Sequence, residues 1–270
     1  MKISTFIILL LALSLSADIE AQTDRHREEA LMFLEKGEVA EAKEKMEAAL
    51  KIAPEIAENH FLMGRVKIAM RNSQEALKEF AIDDSLKLAT SDLFLYQGIA
   101  NYFSGYSDAA LESYGKAIKL NDRDYKIFYN RALLYIDQEK YDNAMTDLNT
   151  AIDLKSDVAE AYLQRAIISF ENEKFKNCIS DCDNALKIKP EMADAYYYRA
   201  MGNGSSGNDD KAINDFSKAI ELNPNHDNAL SRRGSAKFLS GNKKGACIDW
   251  EKARDLGNEE ADNNYISYCE

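Results

Sequence analysis

The chain has 270 residues, with 34 Lys and Arg against 46 Asp and Glu, for a net charge of −12 with its three histidines neutral. That shortage of cations excludes the basic face a nucleic-acid backbone demands and disfavours docking on anionic lipid, so neither partner is expected. Three prolines and 46% apolar residues suit a helical protein, with the acidity spread over a solvated surface.

In chain order, Lys2 and the apolar run Ile3–Leu15 (ISTFIILLLALSL), followed by the small residues Ala17 and Ala21, read as a secretory signal over residues 1–21. Cleavage is expected before Gln22. The run is too short to span a bilayer comfortably, so no membrane insertion is expected after cleavage. No cysteine precedes Cys178, which removes a lipidated cysteine at the new N-terminus. The mature product is expected to be exported, periplasmic or secreted, with a bacterial envelope as the favoured setting.

Residues 22–260 then repeat with a period of 34, in rows 23–56, 57–90, 91–124, 125–158, 159–192, 193–226 and 227–260. Position 8 is small in every row: Ala30, Gly64, Gly98, Ala132, Ala166, Ala200, Gly234. Position 20 is Ala42, Ala76, Ala110, Ala144, Cys178, Ala212, Ala246, and position 27 is Ala in all rows but the second, where Asp83 stands. Position 24 carries bulk in most rows: Met46, Phe80, Tyr114, Leu148, Cys182, Phe216, Trp250. A fixed period of this length predicts stacked helical hairpins. The small residues let two antiparallel helices approach, and larger groups at positions 4, 11 and 24 fill between repeats. The apolar residues at positions 21 and 30 (the latter Ile52 through Leu256) are expected to face the following repeat. Pro54, Pro190 and Pro224 at position 32 end the second helix.

Positions 7 and 23 form a charge ladder: Arg131/Asp147, Arg165/Asp181, Arg199/Asp215 and Arg233/Asp249. In a hairpin turning near position 15 these positions lie level. The first row has Glu29 and Lys45 there with the signs exchanged, as expected if the two side chains meet. The ladder is therefore read as a hairpin lock rather than as an anion-binding row.

The segment Asp194–Asn225, DAYYYRAMGNGSSGNDDKAINDFSKAIELNPN, resembles a tetratricopeptide repeat, with its small-aromatic first helix, Ala-centred second helix and terminal Asn-Pro. Because the pattern recurs in register, the chain resembles an exported bacterial protein of seven such repeats. The resemblance implies an all-α fold, a right-handed superhelical solenoid of antiparallel helix pairs whose concave wall is built from the first helix of each pair. Residues 258–269 place Ala261, Tyr265, Tyr268 and Cys269 on one helical stripe, so a capping helix over 261–270 is expected to cover the last repeat.

Positions 5, 9 and 12 of the first helices should line the groove, with position 6 adding polar handles. The candidate partner-binding residues are Phe61, Leu95, Ile99, Tyr102, Tyr129, Asn130, Leu133, Leu163, Gln164, Ile167, Tyr197, Tyr198 and Met201. Part of this track is open to a second reading, as mutual packing between neighbouring helices. Members of the family that clamp a C-terminal carboxylate carry Lys at position 5 and Asn at position 9, a combination found in no row here.

Several motifs look chemical. Gly202-Asn203-Gly204-Ser205-Ser206-Gly207 matches G-x-G-x-x-G, but it falls at the end of a helix with no strand before it, so a dinucleotide site is not expected. Asn203-Gly204-Ser205 is a glycosylation sequon relevant only in a eukaryotic host. His26, His60 and His226 lie in separate rows and make neither a metal site nor a catalytic pair. Cys178 and Cys182 stand at core positions, whereas Cys247 and Cys269 are expected to be neighbours and candidates for a disulfide in an oxidising compartment. No catalytic residue, metal, cofactor or small-molecule substrate is expected. The sequence points to a non-catalytic scaffold that binds a protein or peptide segment in its groove. A structural subunit of an envelope or secretion complex, and a holdase for exported chains, are the alternatives.

Overall fold

The computed structural model describes residues 2–85 and 89–270, with side chains for 17–82 and 89–270. The side chains of Ile3–Leu15, Asp83 and Leu86 lie outside the described residues. Among the described residues there are fifteen helices and no strand. They are α1 (Lys2–Lys36), α2 (Val39–Ile52), α3 (Ala57–Ala69), α4 (Ser73–Ser85), α5 (Ser91–Phe103), α6 (Ser107–Leu120), α7 (Tyr125–Asp137) and α8 (Tyr141–Leu154). There follow α9 (Ala159–Glu171), α10 (Phe175–Ile188), α11 (Ala193–Ser205), α12 (Asp209–Leu222), α13 (Asp227–Leu239), α14 (Lys243–Asp255) and α15 (Glu259–Tyr268). From α3 to α13 every odd-numbered helix begins on the first residue of a 34-residue row. Two compact units result, residues 1–134 and 135–270, divided inside α7. The first holds the pairs α1/α2, α3/α4 and α5/α6, and the second holds α9/α10, α11/α12 and α13/α14 with α8 before them and α15 after.

One turn recurs in all seven rows. Position 15 has a left-handed backbone in each row: Gly37, Arg71, Gly105, Glu139, Glu173, Gly207 and Gly241, with φ between 57° and 85°. The next amide donates back to the carbonyl of position 11, as from Asn208 N to Asn203 O at 2.9 Å and from Lys174 N to Ser169 O at 2.8 Å. This 6→1 closure satisfies carbonyls that the helix end would otherwise leave unpaired. Gly257 (φ 93°) repeats the geometry after α14, with Asn258 N bonded to Ala253 O. Asn258 Oδ1 then accepts from Ala261 N and caps α15. Residues 259 and 260, the end of the seventh row, thus already belong to the terminal helix.

Helix pairing is governed by positions 8 and 24. Side chains at position 24 are buried in every row, from Met46 at 0% exposure to Phe216 at 3%. A methyl group built on Gly64 would lie 2.3 Å from Phe80 Cε1, and one on Gly98 would lie 2.4 Å from Tyr114 Cε1. On Gly234 it would lie 2.7 Å from Trp250 Cδ1. Glycine therefore accompanies the ring in those rows, while Ala30 and Ala166 accompany the smaller Met46 and Cys182. The remaining ring, Phe216, faces Ala200 and lies against Tyr197, centroids 5.9 Å apart.

Two expectations are corrected. Position 30 does not face into the next repeat in most rows: Leu120, Leu154, Ile188 and Leu256 are between 37% and 55% exposed, because the second helix ends there and its last turn projects past the neighbour. Position 11 is not uniformly a filler. Lys67, Asn101, Asn203 and Lys237 stand one turn from position 7 and hydrogen-bond the position-23 residue of their own pair: Glu79 at 2.6 Å, Ser113 at 3.5 Å, Asp215 at 3.3 Å and Asp249 at 2.7 Å. Position 21 does turn toward the following helix, as Ile179 shows: its Cγ1 would lie 3.0 Å from a methyl group on Gly202.

Candidate partner-binding faces of the first helices

The position-7 arginines fix which side of each first helix is used internally. Arg165 holds Asp181 with two bonds, Nε to Oδ2 at 2.9 Å and Nη2 to Oδ1 at 2.7 Å, and Arg199 and Arg233 repeat this with Asp215 and Asp249. The first row carries the exchanged pair, Lys45 Nζ to Glu29 Oε2 at 2.6 Å. A third arm has no counterpart in the sequence pattern. Arg165 Nη1 donates to Asn149 Oδ1, Arg199 Nη1 to Asp183 Oδ1 and Arg233 Nη1 to Ser217 Oγ, at 2.7, 2.7 and 3.0 Å. Each acceptor stands at position 25 of the preceding row. One guanidinium thus ties three helices, and Gly115, at position 25 of the third row, explains why no pattern at that position was visible. The bonds to Asp215 and Asp183 raise the Arg199 pKa above its ordinary value. The guanidinium carbons of Arg165 and Arg199 also sit 5.5 and 5.2 Å from the Tyr162 and Tyr196 ring centroids.

With that side committed to packing, the candidate groove residues divide into two groups. Phe61, Leu95 and Leu163, all at position 5, are buried at 7%, 2% and 7% exposure and belong to the cores of their units. Their role is packing between successive first helices: Phe61 sits edge-on to Tyr96 at 5.7 Å and near Phe80 at 6.2 Å. Position 5 points at the neighbouring pair more than at solvent, which the helical period alone does not distinguish.

The other candidates remain half-buried. In the first unit these are Ile99, Tyr102, Tyr129, Asn130 and Leu133; Tyr102 lies against Phe103 at 5.1 Å. Asn130 Nδ2 donates to Lys126 O one turn back, so its amide protons are partly used within α7. In the second unit they are Gln164, Ile167, Tyr197, Tyr198 and Met201. Tyr197 and Tyr198 meet edge-on at 5.1 Å; Tyr197 also contacts the His226 ring at 4.9 Å, and Tyr198 meets Phe170 at 6.4 Å. Burial pushes the Tyr198 phenol up to about 12 and raises that of Tyr197 as well. Both rings are uncharged at any physiological pH.

The motifs that resembled chemistry have structural roles. Gly202 and Gly204 lie within α11, where Gly202 admits Ile179 of α10, and Gly207 is the left-handed turn residue. Asn203 of the sequon is 6% exposed and bonded to Asp215, so it offers no acceptor for a glycan. His60 lies between Glu79 and the Pro54 carbonyl, each at 2.7 Å, and His226 caps α13. Among the described residues no group of His, Cys, Asp or Glu is arranged to hold a metal ion, and no helix is long and apolar enough to cross a membrane. Cys178 and Cys182 are fully buried, and the bond from Cys178 together with burial raises the Cys182 thiol far above its usual value. Cys247 and Cys269 are joined by a disulfide, S–S 2.02 Å, that ties α14 to the end of α15.

Models of the family described as tetratricopeptide repeat match residues 125–158 and 193–226. The chain is a tetratricopeptide-repeat protein. Both matches coincide with rows of the 34-residue period. No curated protein matches the chain. Among solved structures, the APC/C hetero-tetramer Cut9–Hcn1 aligns with a TM-score of 0.75 and 14% identity, covering 89% of this chain and 48% of that one. A tetratricopeptide-repeat protein from Parabacteroides merdae gives 0.59 at 22% identity, covering 92% and 98%. YrrB, described as a TPR protein with an unusual peptide-binding site, gives 0.55 at 19% identity, covering 68% and 95%. Likeness at these identities establishes the fold. Tetratricopeptide-repeat arrays generally act as interaction scaffolds and not as catalysts, and this chain is a protein-interaction scaffold with protein or peptide partners.

Proposed function

We propose that the scaffold binds a segment of a partner protein along the first-helix face of its pairs and performs no catalysis. The observation that carries this reading is the column of half-buried aromatic and aliphatic side chains left on that face after the arginine ladder and position 5 are spent on packing. Ile99 and Tyr102 supply it in the first unit, and Ile167, Tyr198 and Met201 in the second. Apolar groups kept at a wet surface mark partner sites, and rigid helices present them at little entropic cost. The peptide-binding site of YrrB, on the same repeat architecture, supports the reading by analogy alone.

Export belongs to the same proposal. The charged, apolar and small-residue order of Met1–Ala21 supports a cleaved leader, and a disulfide between Cys247 and Cys269 is suited to an oxidising compartment. Intact mass of the exported protein tests this, and retention of residues 1–21 overturns it.

The binding reading is tested by crosslinking pull-down from the native source with wild type, with Ile99→Ser plus Tyr102→Ser, and with Ile167→Ser plus Met201→Ser. Each pair is expected to weaken capture by about tenfold or more, as the loss of buried anchors does, with helicity unchanged. Unchanged capture, together with its loss on charge reversal at Lys176 and Lys211 of the second helices, would instead favour a subunit held by its outer surface.

A further inference from the structure

The turn between α3 and α4 closes one side of an apolar cleft of about 460 Å³ in the first unit, lined by Ile68, Ala69, Arg71, Ser73 and Phe103. Phe103, the last residue of α5, is 66% exposed. Ile68 and Ala69 end α3, and Ser73 opens α4. Ser73 is 7% exposed. It borders the cleft at the positive end of a thirteen-residue helix.

Two cations stand near this cleft, Arg71 in its lining and Arg65 beyond it, with no carboxylate paired to either among the described residues. Arg71 lies in the left-handed turn itself, exposed. Arg65 stands one turn before Ile68 on the same face of α3. Its guanidinium carbon is held 4.8 Å from the Tyr96 ring centroid and 5.8 Å from that of Phe61. The lysine between them is differently placed: Lys67 is committed to Glu75 and Glu79, and Glu75 is shared with Lys78. In a chain of net charge −12, a guanidinium in the lining of an apolar cleft and a second one held on the same helix are complementary to negative charge with an apolar centre.

We propose that this cleft takes an acidic segment of a partner protein bearing one apolar side chain. That side chain rests on Ile68 and Ala69 against Phe103. Carboxylates on one flank meet Arg71, the Ser73 hydroxyl and the start of α4, and those on the other meet Arg65. The site deepens the reading of the chain as a binder of protein segments and rests on it.

The experiment is fluorescence anisotropy on the full chain with three labelled peptides. The first has a central Leu flanked by Asp and Glu, the second replaces the acids with Asn and Gln, and the third replaces Leu with Ser. The acidic Leu peptide is expected to bind, more weakly at high salt, and the other two to bind at least about tenfold less tightly. Arg71→Gly suits the left-handed turn, so it removes the charge while keeping the fold. Phe103→Ser alters an exposed residue. Each, like Arg65→Gln, is expected to weaken the acidic peptide by about tenfold, with the circular dichroism unchanged. Equal affinity for the amide peptide, or indifference to all three substitutions, overturns the cleft. If affinity instead falls only with Ile167→Ser plus Met201→Ser, the cleft fails while segment binding stands. Binding of no peptide, together with capture that survives both first-helix double substitutions, removes both.

Discussion

Gly64 and Phe80 offer a direct measurement of how the helix pairs are specified. Both are buried, and a methyl group at position 64 would lie 2.3 Å from Cε1, 2.7 Å from Cζ and 2.8 Å from Cδ1 of the ring. Gly64→Ala should gain about 1 kcal/mol in helix propensity. Forcing the ring or the helices apart costs roughly 1–3 kcal/mol, so the substitution is expected to destabilise by about 1 kcal/mol. Phe80→Leu costs something like 1–2 kcal/mol in lost burial, but it removes the atoms the methyl would strike. Adding Gly64→Ala to Phe80→Leu should then stabilise by up to about 1 kcal/mol, giving this pair the combination of Ala at position 8 and Leu at position 24 that the fourth row carries in its sequence. The effect of one methyl group changes sign with the residue opposite. Because repeat arrays open locally, the assay is hydrogen exchange at the amides of α3 and α4 in the four proteins of the cycle. If Gly64→Ala destabilises equally in both backgrounds, the steric coupling of positions 8 and 24 is wrong.

That coupling also shows what was legible in the sequence. The period, the starts of the odd-numbered helices from α3 to α13 and the small residues at positions 8 and 20 were readable, because each recurs row after row. The lock between positions 7 and 23 was readable from the exchanged signs of Glu29 and Lys45. Its third arm was not. Asn149, Asp183 and Ser217 share no charge or size, only the ability to accept a hydrogen bond, and Gly115 breaks the series. Phe61, Leu95 and Leu163 were misplaced because a helical period says which residues share a face but not how closely the neighbouring first helix covers it. Position 11 was obscured by mixed chemistry, since Lys67, Asn101 and Asn203 solve one bonding problem with different groups. Arg71 was invisible as part of a cleft, because its neighbour Phe103 comes from the next row and only the packing of α3 against α5 brings them together.

In the ladder, Arg165→Ala is expected to cost about 2 kcal/mol, since it strands the buried Asp181 and also loses Asn149. Asp181→Ala should cost less, because Arg165 keeps Asn149, and adding it to Arg165→Ala should cost almost nothing; additive losses on denaturation would refute the shared site. At the turn after α9, Glu173 has φ 57°, so Glu173→Gly should raise the denaturation midpoint by the equivalent of about 0.5–1 kcal/mol. An unchanged or lower midpoint would mean that this turn carries no strain. The disulfide gives the last test. Cys247 and Cys269 are 22 residues apart, and closing such a loop contributes roughly 3 kcal/mol on the chain-entropy estimate. What the bond secures is α15, whose Ala261 is buried against Trp250 and Leu230 and whose Tyr268 stacks on Phe238 at 4.6 Å. Reduction should therefore raise exchange at the α15 amides by about a hundredfold, while α9 through α12, which share no contact with the bond, keep their protection. Thiol labelling should then find two reactive cysteines and leave the buried Cys178 and Cys182 unmodified until the chain unfolds. Unchanged protection of α15 after reduction would show that the stacked rings and the Asn258 cap hold the end of the array without a covalent tie.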